Sequence, residues 1–287
     1  MRWRPEAPTG TTAGNPVILF RVNWSNREGL GGGAGLGSEG ASITVRRGER
    51  SHRDDMKEKT STRRARRIAA RIERELRALP ALNAVTARRV RRRYSRILRQ
   101  TDPEFVLSLA KAILNSTERR WLAYELIRNH DAAFRSLSED ELEELGRGIN
   151  SWESVDTFAR TLAGPAWLNG QVTDRLIRKW ARSEDLWWRR AALVSTVALN
   201  VRSHGGTGDV ARTLDVCRLL VRNRQDMVVK AMSWALRELV VHDRSAVERF
   251  LTQHEAVLAA RVKREVRNKL RTGVKTPRSK GKRQAKG

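Results

Sequence analysis

From Ile68 onward, apolar residues recur at intervals of three and four, the repeat of a helix that buries one face. Ile68, Ile72, Leu76 and Leu79 form one stripe, and Pro80 ends the helix that carries it. Val90, Tyr94, Ile97 and Leu98 mark a second helix over about 86–98. After Pro103 short amphipathic stretches follow at about 103–115, 117–129, 138–147, 152–163, 166–182, 185–202, 209–223, 226–241, 243–255 and 258–271. Several starts carry caps: Ser138 with Glu141 reads as a capping box, Asp102 precedes Pro103, and Ser183 precedes Glu184 and Asp185. No window of this region alternates with period two, so strands are not expected.

Helix pairs joined by short turns, repeating every ~30 to 45 residues, predict an all-α superhelix, the α-solenoid. The segments Glu184–Asn200 and Gln225–Val241 illustrate the repeat, since both run apolar at helical spacing and both carry Trp and Arg. Stacked pairs of this kind form a curved body with one concave face.

Charge says what that face would meet. The 287 residues hold 58 Lys and Arg against 32 Asp and Glu, a formal charge of +26. Such a surplus favours a polyanionic partner. Lys57–Arg99 alone holds 16 Lys and Arg and three acids, which places an arginine shell around the first apolar stripe. With 39% hydrophobic residues the chain can still build a core. A single cysteine, Cys217, excludes an internal disulfide and points to a reducing compartment; with only five histidines besides, no structural metal is expected. Ala191–Val201, the longest nearly apolar run, is interrupted by Ser195, Thr196 and Asn200 and falls short of the ~20 residues that cross a bilayer. No membrane association is expected, and a cytoplasmic, nucleoid-associated monomer is.

Composition divides the chain into three. Residues 1–55 hold ten of the 20 glycines and no sustained period, and read as a disordered arm, with Met56 an alternative translation start. Residues 56–271 form the helical domain. Residues 272–287 carry six Lys or Arg and no acid, a flexible basic tail in which Lys280, Lys282 and Arg283 would touch nucleic acid backbone without sequence choice.

Four clusters carry candidate chemistry. Trp152 and Asp156 stand four apart at a helix start and share one face. Trp187, Trp188, Arg189 and Arg190 are consecutive, and Lys230, Trp234 and Arg237 share a later helix. Taken singly, each has a plain structural explanation, because tryptophans fill cores and arginines are usually solvated. The segments Ile149–Asp156, Leu162-Ala-Gly-Pro165, Lys179–Ala192 and Lys230–Arg237 together resemble, in order and approximate spacing, the DNA alkylation repair family, the HEAT-like-repeat alkylpurine DNA glycosylases of the AlkD type.

The resemblance implies a superhelix of HEAT-like pairs with a concave basic face. It also implies hydrolytic excision of cationic N3- and N7-alkylated purines from double-stranded DNA, without metal or cofactor and without drawing the base into a pocket. By the same resemblance Asp156 is the catalytic carboxylate, Trp152 and Trp234 are aromatic site walls, and Arg190 is the site arginine, able to pair with a flanking phosphate. Arg189, Arg190, Trp187, Lys230, Arg63 and Arg67 are the further expected DNA contacts within the domain. Two departures stand out. No aromatic residue lies between Trp24 and Tyr94, where arginines stand instead, and Ser151 occupies a place where a second Trp is often found. The first departure favours an alternative reading, a non-catalytic HEAT-repeat protein that holds damaged or branched DNA.

Overall fold

The computed structural model describes residues 52–277, apart from residue 118. Of the arm expected over 1–55, residues 1–51 lie outside the described residues, as do the expected contacts Lys280, Lys282 and Arg283, whereas 52–55 belong to the first helix.

Within them the chain is helical and contains no strand. The order is α1 (His52–Arg77), α2 (Ala84–Ile97), α3 (Pro103–Ser116), α4 (Arg120–Arg128), α5 (Asp131–Arg135), α6 (Glu139–Gly146) and α7 (Trp152–Phe158). A π-helical turn, Ala159–Ala163, leads from α7 into α8 (Gly164–Leu168). Then come α9 (Asp174–Ala181), α10 (Leu186–Asn200), a 3-10 turn (Arg202–His204), α11 (Val210–Leu219), α12 (Asp226–Leu239), α13 (Arg244–Gln253) and α14 (Ala260–Thr272). Alternate helices pack on each other, α1 on α3 and then α10 on α12 on α14, while α9 and α11 form a second row. This nearest-neighbour stacking is an α-solenoid of helix repeats.

Capping explains where most helices begin. Asp102 accepts from the Glu104 N–H (2.8 Å), and Ser138 and Glu141 cap α6 reciprocally. At the other end α14 stops at Gly273, whose φ of 75° is the left-handed conformation that glycine adopts most readily. Residues after it fold back on α14, where Asn268 donates to the Lys275 carbonyl (3.1 Å) and Lys275 pairs with Glu265 (3.5 Å).

The arginine shell is partly internal mortar. Glu73 of α1 accepts from Arg77 (2.8 Å) and from Arg119 (3.1 Å), and Arg91 of α2 reaches Glu125 of α4 at 2.9 Å. Arg64 lies over the Phe105 ring at 4.9 Å, covering a core aromatic with an alkyl stem and a cation.

Three boundaries differ from the sequence pattern. Helix α1 begins at His52, ahead of Met56. The short α5 was not expected; His130 caps it, its Nδ1 accepting from the Ala133 N–H (3.1 Å) while Nε2 meets the Thr101 carbonyl (3.0 Å). Five residues are too few to show a period, and histidine is an uncommon cap.

The third difference matters most. Gly164 and Pro165 read as a break between two helices, yet the helix runs through them and breaks later, before α9. Pro165 has no N–H to give Thr161, and its ring would press on that carbonyl in a regular helix. The π-helical turn absorbs the conflict, with the Gly164 N–H reaching back to the Ala159 carbonyl, five residues away. Gly164 is also where α10 comes closest: a Cβ there would lie 2.6 Å from both Ala198 Cβ and the Ser195 carbonyl oxygen.

Because that oxygen belongs to a packed helix backbone, Gly164→Ala should cost about 1–3 kcal/mol. In a domain of this size the loss amounts to a melting temperature lower by about 2–4 °C per kcal/mol. Thermal unfolding followed by circular dichroism checks it, and an unchanged midpoint would mean that α10 is free to back away.

Candidate active site

Helix α7 is set from both ends. Ser151 caps its start, the hydroxyl accepting from the Ser154 N–H (3.2 Å) while Ser154 Oγ receives the Ser151 N–H (3.1 Å). The residue that replaces an expected Trp therefore fixes the first turn of the helix that carries Trp152 and Asp156. At the other end Phe158 is fully buried and its ring centroid lies 5.9 Å from Trp180 and 6.0 Å from Trp188, which are themselves 4.9 Å apart. Trp180 is pinned by its indole N–H to Glu143 (2.9 Å). This aromatic cluster clamps α7, α9 and α10 together.

Asp156, two residues before Phe158, faces Arg190 of α10. The contact is bidentate: Nε donates to Oδ1 at 2.9 Å and Nη2 to Oδ2 at 2.8 Å. Nη1 of the same guanidinium donates to the Met227 carbonyl in the first turn of α12 (2.6 Å). The side chains are 6% exposed for Arg190 and 17% for Asp156. Burial pushes the Asp156 carboxyl above its ordinary value, while Arg190 above all, then Arg160, pull it back down. Arg190 was expected to be able to grip a phosphate; its fork instead points into Asp156, because a buried carboxylate needs a fixed counter-ion.

The two expected walls are both half-buried. Trp152 stands one turn ahead of Asp156, and Trp234 of α12 has its indole N–H fixed to Glu238 (2.9 Å). What links Trp234 to Asp156 is a residue the sequence reading did not single out. Arg160 lies in the π-helical turn, its guanidinium carbon 5.3 Å from the centre of the Trp234 ring and its charge felt at Asp156. Its Nη2 is 3.5 Å from His204 Nε2. Burial, Arg160 and Arg128 together lower the His204 pKa to about 4, so this imidazole is neutral at pH 7. The spacing of Arg160 four residues after Asp156 was the available signal; that of His204, 44 residues further on, was not.

A family model described as DNA alkylation repair enzyme matches residues 53–270. The chain belongs to this family. No curated protein and no solved structure gives a match. A role in the repair of alkylated DNA makes DNA the substrate, and the other expected contacts of this DNA alkylation repair enzyme can be placed against that. Arg63 and Arg67 are exposed on α1. Lys230 is half-buried and pairs with Asp226 (2.7 Å). Trp187 is half-buried against the core. Arg189 is turned inward, donating to the Ser183 carbonyl, the Glu184 carbonyl (2.7 Å) and Gln225 Oε1, so it clips the turn before α10 to the turn before α12. Among the described residues no helix is long and apolar enough to cross a membrane.

The repair enzyme should feel the loss of Arg190 in a pH-dependent way. Arg190→Ala leaves a buried carboxylate without its counter-ion, at about 3–5 kcal/mol at neutral pH. Without Arg190 the folded-state pKa of Asp156 rises further above the unfolded value. The penalty is therefore absent below the unfolded pKa and grows as pH climbs through the folded one. Melting temperatures of the variant and the parent should converge as pH is lowered toward the carboxylate range. A gap that stays constant with pH would place the loss in packing rather than in the ion pair.

Proposed function

We propose that this protein is a monofunctional DNA glycosylase that hydrolyses the N-glycosidic bond of cationic N3- and N7-alkylated purines. The observation that carries the reading is the buried Asp156–Arg190 pair, held bidentately at 2.8 and 2.9 Å one turn beyond Trp152 and bridged electrostatically to Trp234 by Arg160.

The chemistry follows from the leaving group. An alkylated purine already carries a positive charge, so when the bond from C1′ to the base breaks, the electron pair stays on the base and neutralises it. Positive charge moves to C1′ and the ring oxygen, giving an oxocarbenium-like transition state. A carboxylate fixed beside the sugar stabilises that charge before solvent reorganises, a contribution of about 3–4 kcal/mol per preorganised group in other enzymes. Water then adds to C1′, and its proton leaves to Asp156 or to solvent. The indoles attract a cationic nucleotide with about 0.5–2 kcal/mol each. Because the charge to be stabilised is on the sugar, the carboxylate can act on a base that stays in the duplex, and we place the reaction there.

Two outcomes test the reading. Asp156→Asn keeps the shape and removes the charge; release of N7-methylguanine from duplex DNA should fall to background while DNA affinity stays within a few-fold. Full activity in this variant would sink the mechanism. Secondly, no group in this reading protonates the base, so N7-methylguanine and N3-methyladenine should leave far faster than the neutral hypoxanthine or uracil. Comparable rates would reveal a general acid, and release of none of them with tight binding retained would make the protein a DNA-holding module.

A further inference from the structure

The N-terminal end of the solenoid carries charge that the site does not use. Helices α2, α4, α7, α10, α12 and α14 stack into the row that holds Trp152, Asp156, Arg190 and Trp234, whereas α1 packs on α3 in the other row. The buried stripe of α1 is Ala65, Ala69, Ile72 and Leu76. Arg63, Arg67, Ala70 and Arg74 share the opposite side of the helix, are exposed, and point away from α3, out of the end of the superhelix where a further repeat would otherwise stack. A terminal repeat needs a polar outer face, but a mixture of charges supplies that. Here the face has one sign. The acids of this half of α1, Glu73 and Glu75, stand on its flanks and are taken by Arg77 and Arg119 and by Arg71, Arg93 and the Tyr94 hydroxyl. Among the described residues no ion pair engages Arg63, Arg67 or Arg74. The helix macrodipole accounts for Arg74 in the last turn, but not for Arg63 and Arg67, and like charges four apart destabilise a helix.

We propose that the outer face of α1 is a second nucleic-acid-binding surface, on which Arg63, Arg67 and Arg74 hold the phosphates of a further duplex segment while the site row holds the first, so that one protein bridges two stretches of DNA. The stripe from Arg63 to Arg74 spans about 16 Å of helix, a length over which one strand of B-DNA presents about five phosphates. Arginine suits that partner, because its planar fork meets phosphate oxygens bidentately. An acidic protein would match the charge as well, but between the arginines the face offers it only the methyl group of Ala70, which anchors nothing. DNA is the polyanion that a repair enzyme of this family meets as its substrate. Since α1 and Asp156 belong to different rows, a segment held on α1 need not displace the one at the site. The proposal does not depend on the glycosylase reading, because phosphates of undamaged DNA satisfy it equally well.

The test uses the full chain and two short undamaged duplexes, one carrying a donor dye and one an acceptor, so that energy transfer reports both on one protein. The wild type should bring the two together. The triple variant Arg63→Gln, Arg67→Gln, Arg74→Gln should capture the second duplex more than about ten-fold more weakly, a loss larger than its loss at the first binding step. The slope of log affinity against log salt for the second step should fall by about three, because three fewer counterions are released. A control that removes the same charge from exposed arginines of the opposite half, Arg222→Gln, Arg249→Gln, Arg264→Gln, should keep the capture. No energy transfer with the wild type would overturn the proposal. So would equal weakening of both steps in the triple variant, which would make α1 an extension of the first site, or an equal loss in the control, which would reduce the capture to net charge. Displacement of the second duplex by polyglutamate at a lower charge concentration than by unlabelled duplex would overturn it too, in favour of a protein partner.

Discussion

The contact on which the site depends is the bidentate pair between Asp156 and Arg190. Arg190 also holds the Met227 carbonyl, so a single guanidinium ties α7, α10 and α12, three helices from successive repeats. In a solenoid each repeat touches only its neighbours, and the relative placement of side chains from different repeats is left to local packing. A buried fork with three engaged nitrogens removes that freedom where the chemistry needs it. The same pair bears on the protonation of the carboxylate. Burial pushes the Asp156 carboxyl above its ordinary value, and the adjacent guanidinium opposes that rise.

Around this pair the backbone makes two accommodations that serve one end. Gly164 lets α10 approach the helix that carries Asp156 to a distance that a methyl group would prevent, and the π-helical turn admits Pro165 without ending that helix. A Cβ at 164 would lie 2.6 Å from the Ala198 Cβ and from the Ser195 carbonyl oxygen of α10, the helix that carries Arg190. The π-helical turn also places Arg160 over Trp234. One departure from helical regularity thus sets the distances on both sides of the carboxylate.

Much of this was legible in the chain before the fold was known. The all-helical repeat followed from the spacing of apolar residues, because a helix that buries one stripe has no other way to arrange them. Trp152, Asp156, Arg190 and Trp234 stood out through their linked motifs, and the matched family spans 53–270. The inward direction of Arg190 and Arg189 was not legible. An arginine in a basic chain reads as solvated, and of the acceptors that turn these two inward, Asp156, Met227 and Gln225 are remote in sequence and the Ser183 and Glu184 carbonyls are backbone groups that carry no side-chain signal. The break expected at Gly164-Pro165 failed because both residues are helix breakers by intrinsic preference. Close packing and a π-helical hydrogen bond override that preference, and neither leaves a periodic trace. Arg160 was missed because its partners are an indole on α12 and a histidine in a turn, brought together only by the stacking of repeats.

The pairing of Asp156 with a fixed arginine also limits the range over which the carboxylate can act. A lone buried carboxylate would attract any cation nearby, but it would take up a proton at mild acidity and lose that power. A carboxylate locked to a guanidinium keeps its charge to lower pH than a lone one would, yet at a distance the two charges cancel and the field is that of a dipole, which decays faster than that of a single charge. Only a cation in contact with the free side of the carboxyl oxygens feels nearly the full negative charge. On the mechanism proposed above, the cation that develops at C1′ of a nucleotide seated beside Trp152 would meet that condition, and the delocalised charge on the base would meet it less well. In the glycosylase reading proposed above, the carboxylate would favour the state in which charge has moved from base to sugar over the state in which it has not, and such a difference, rather than binding strength as such, is what lowers a barrier.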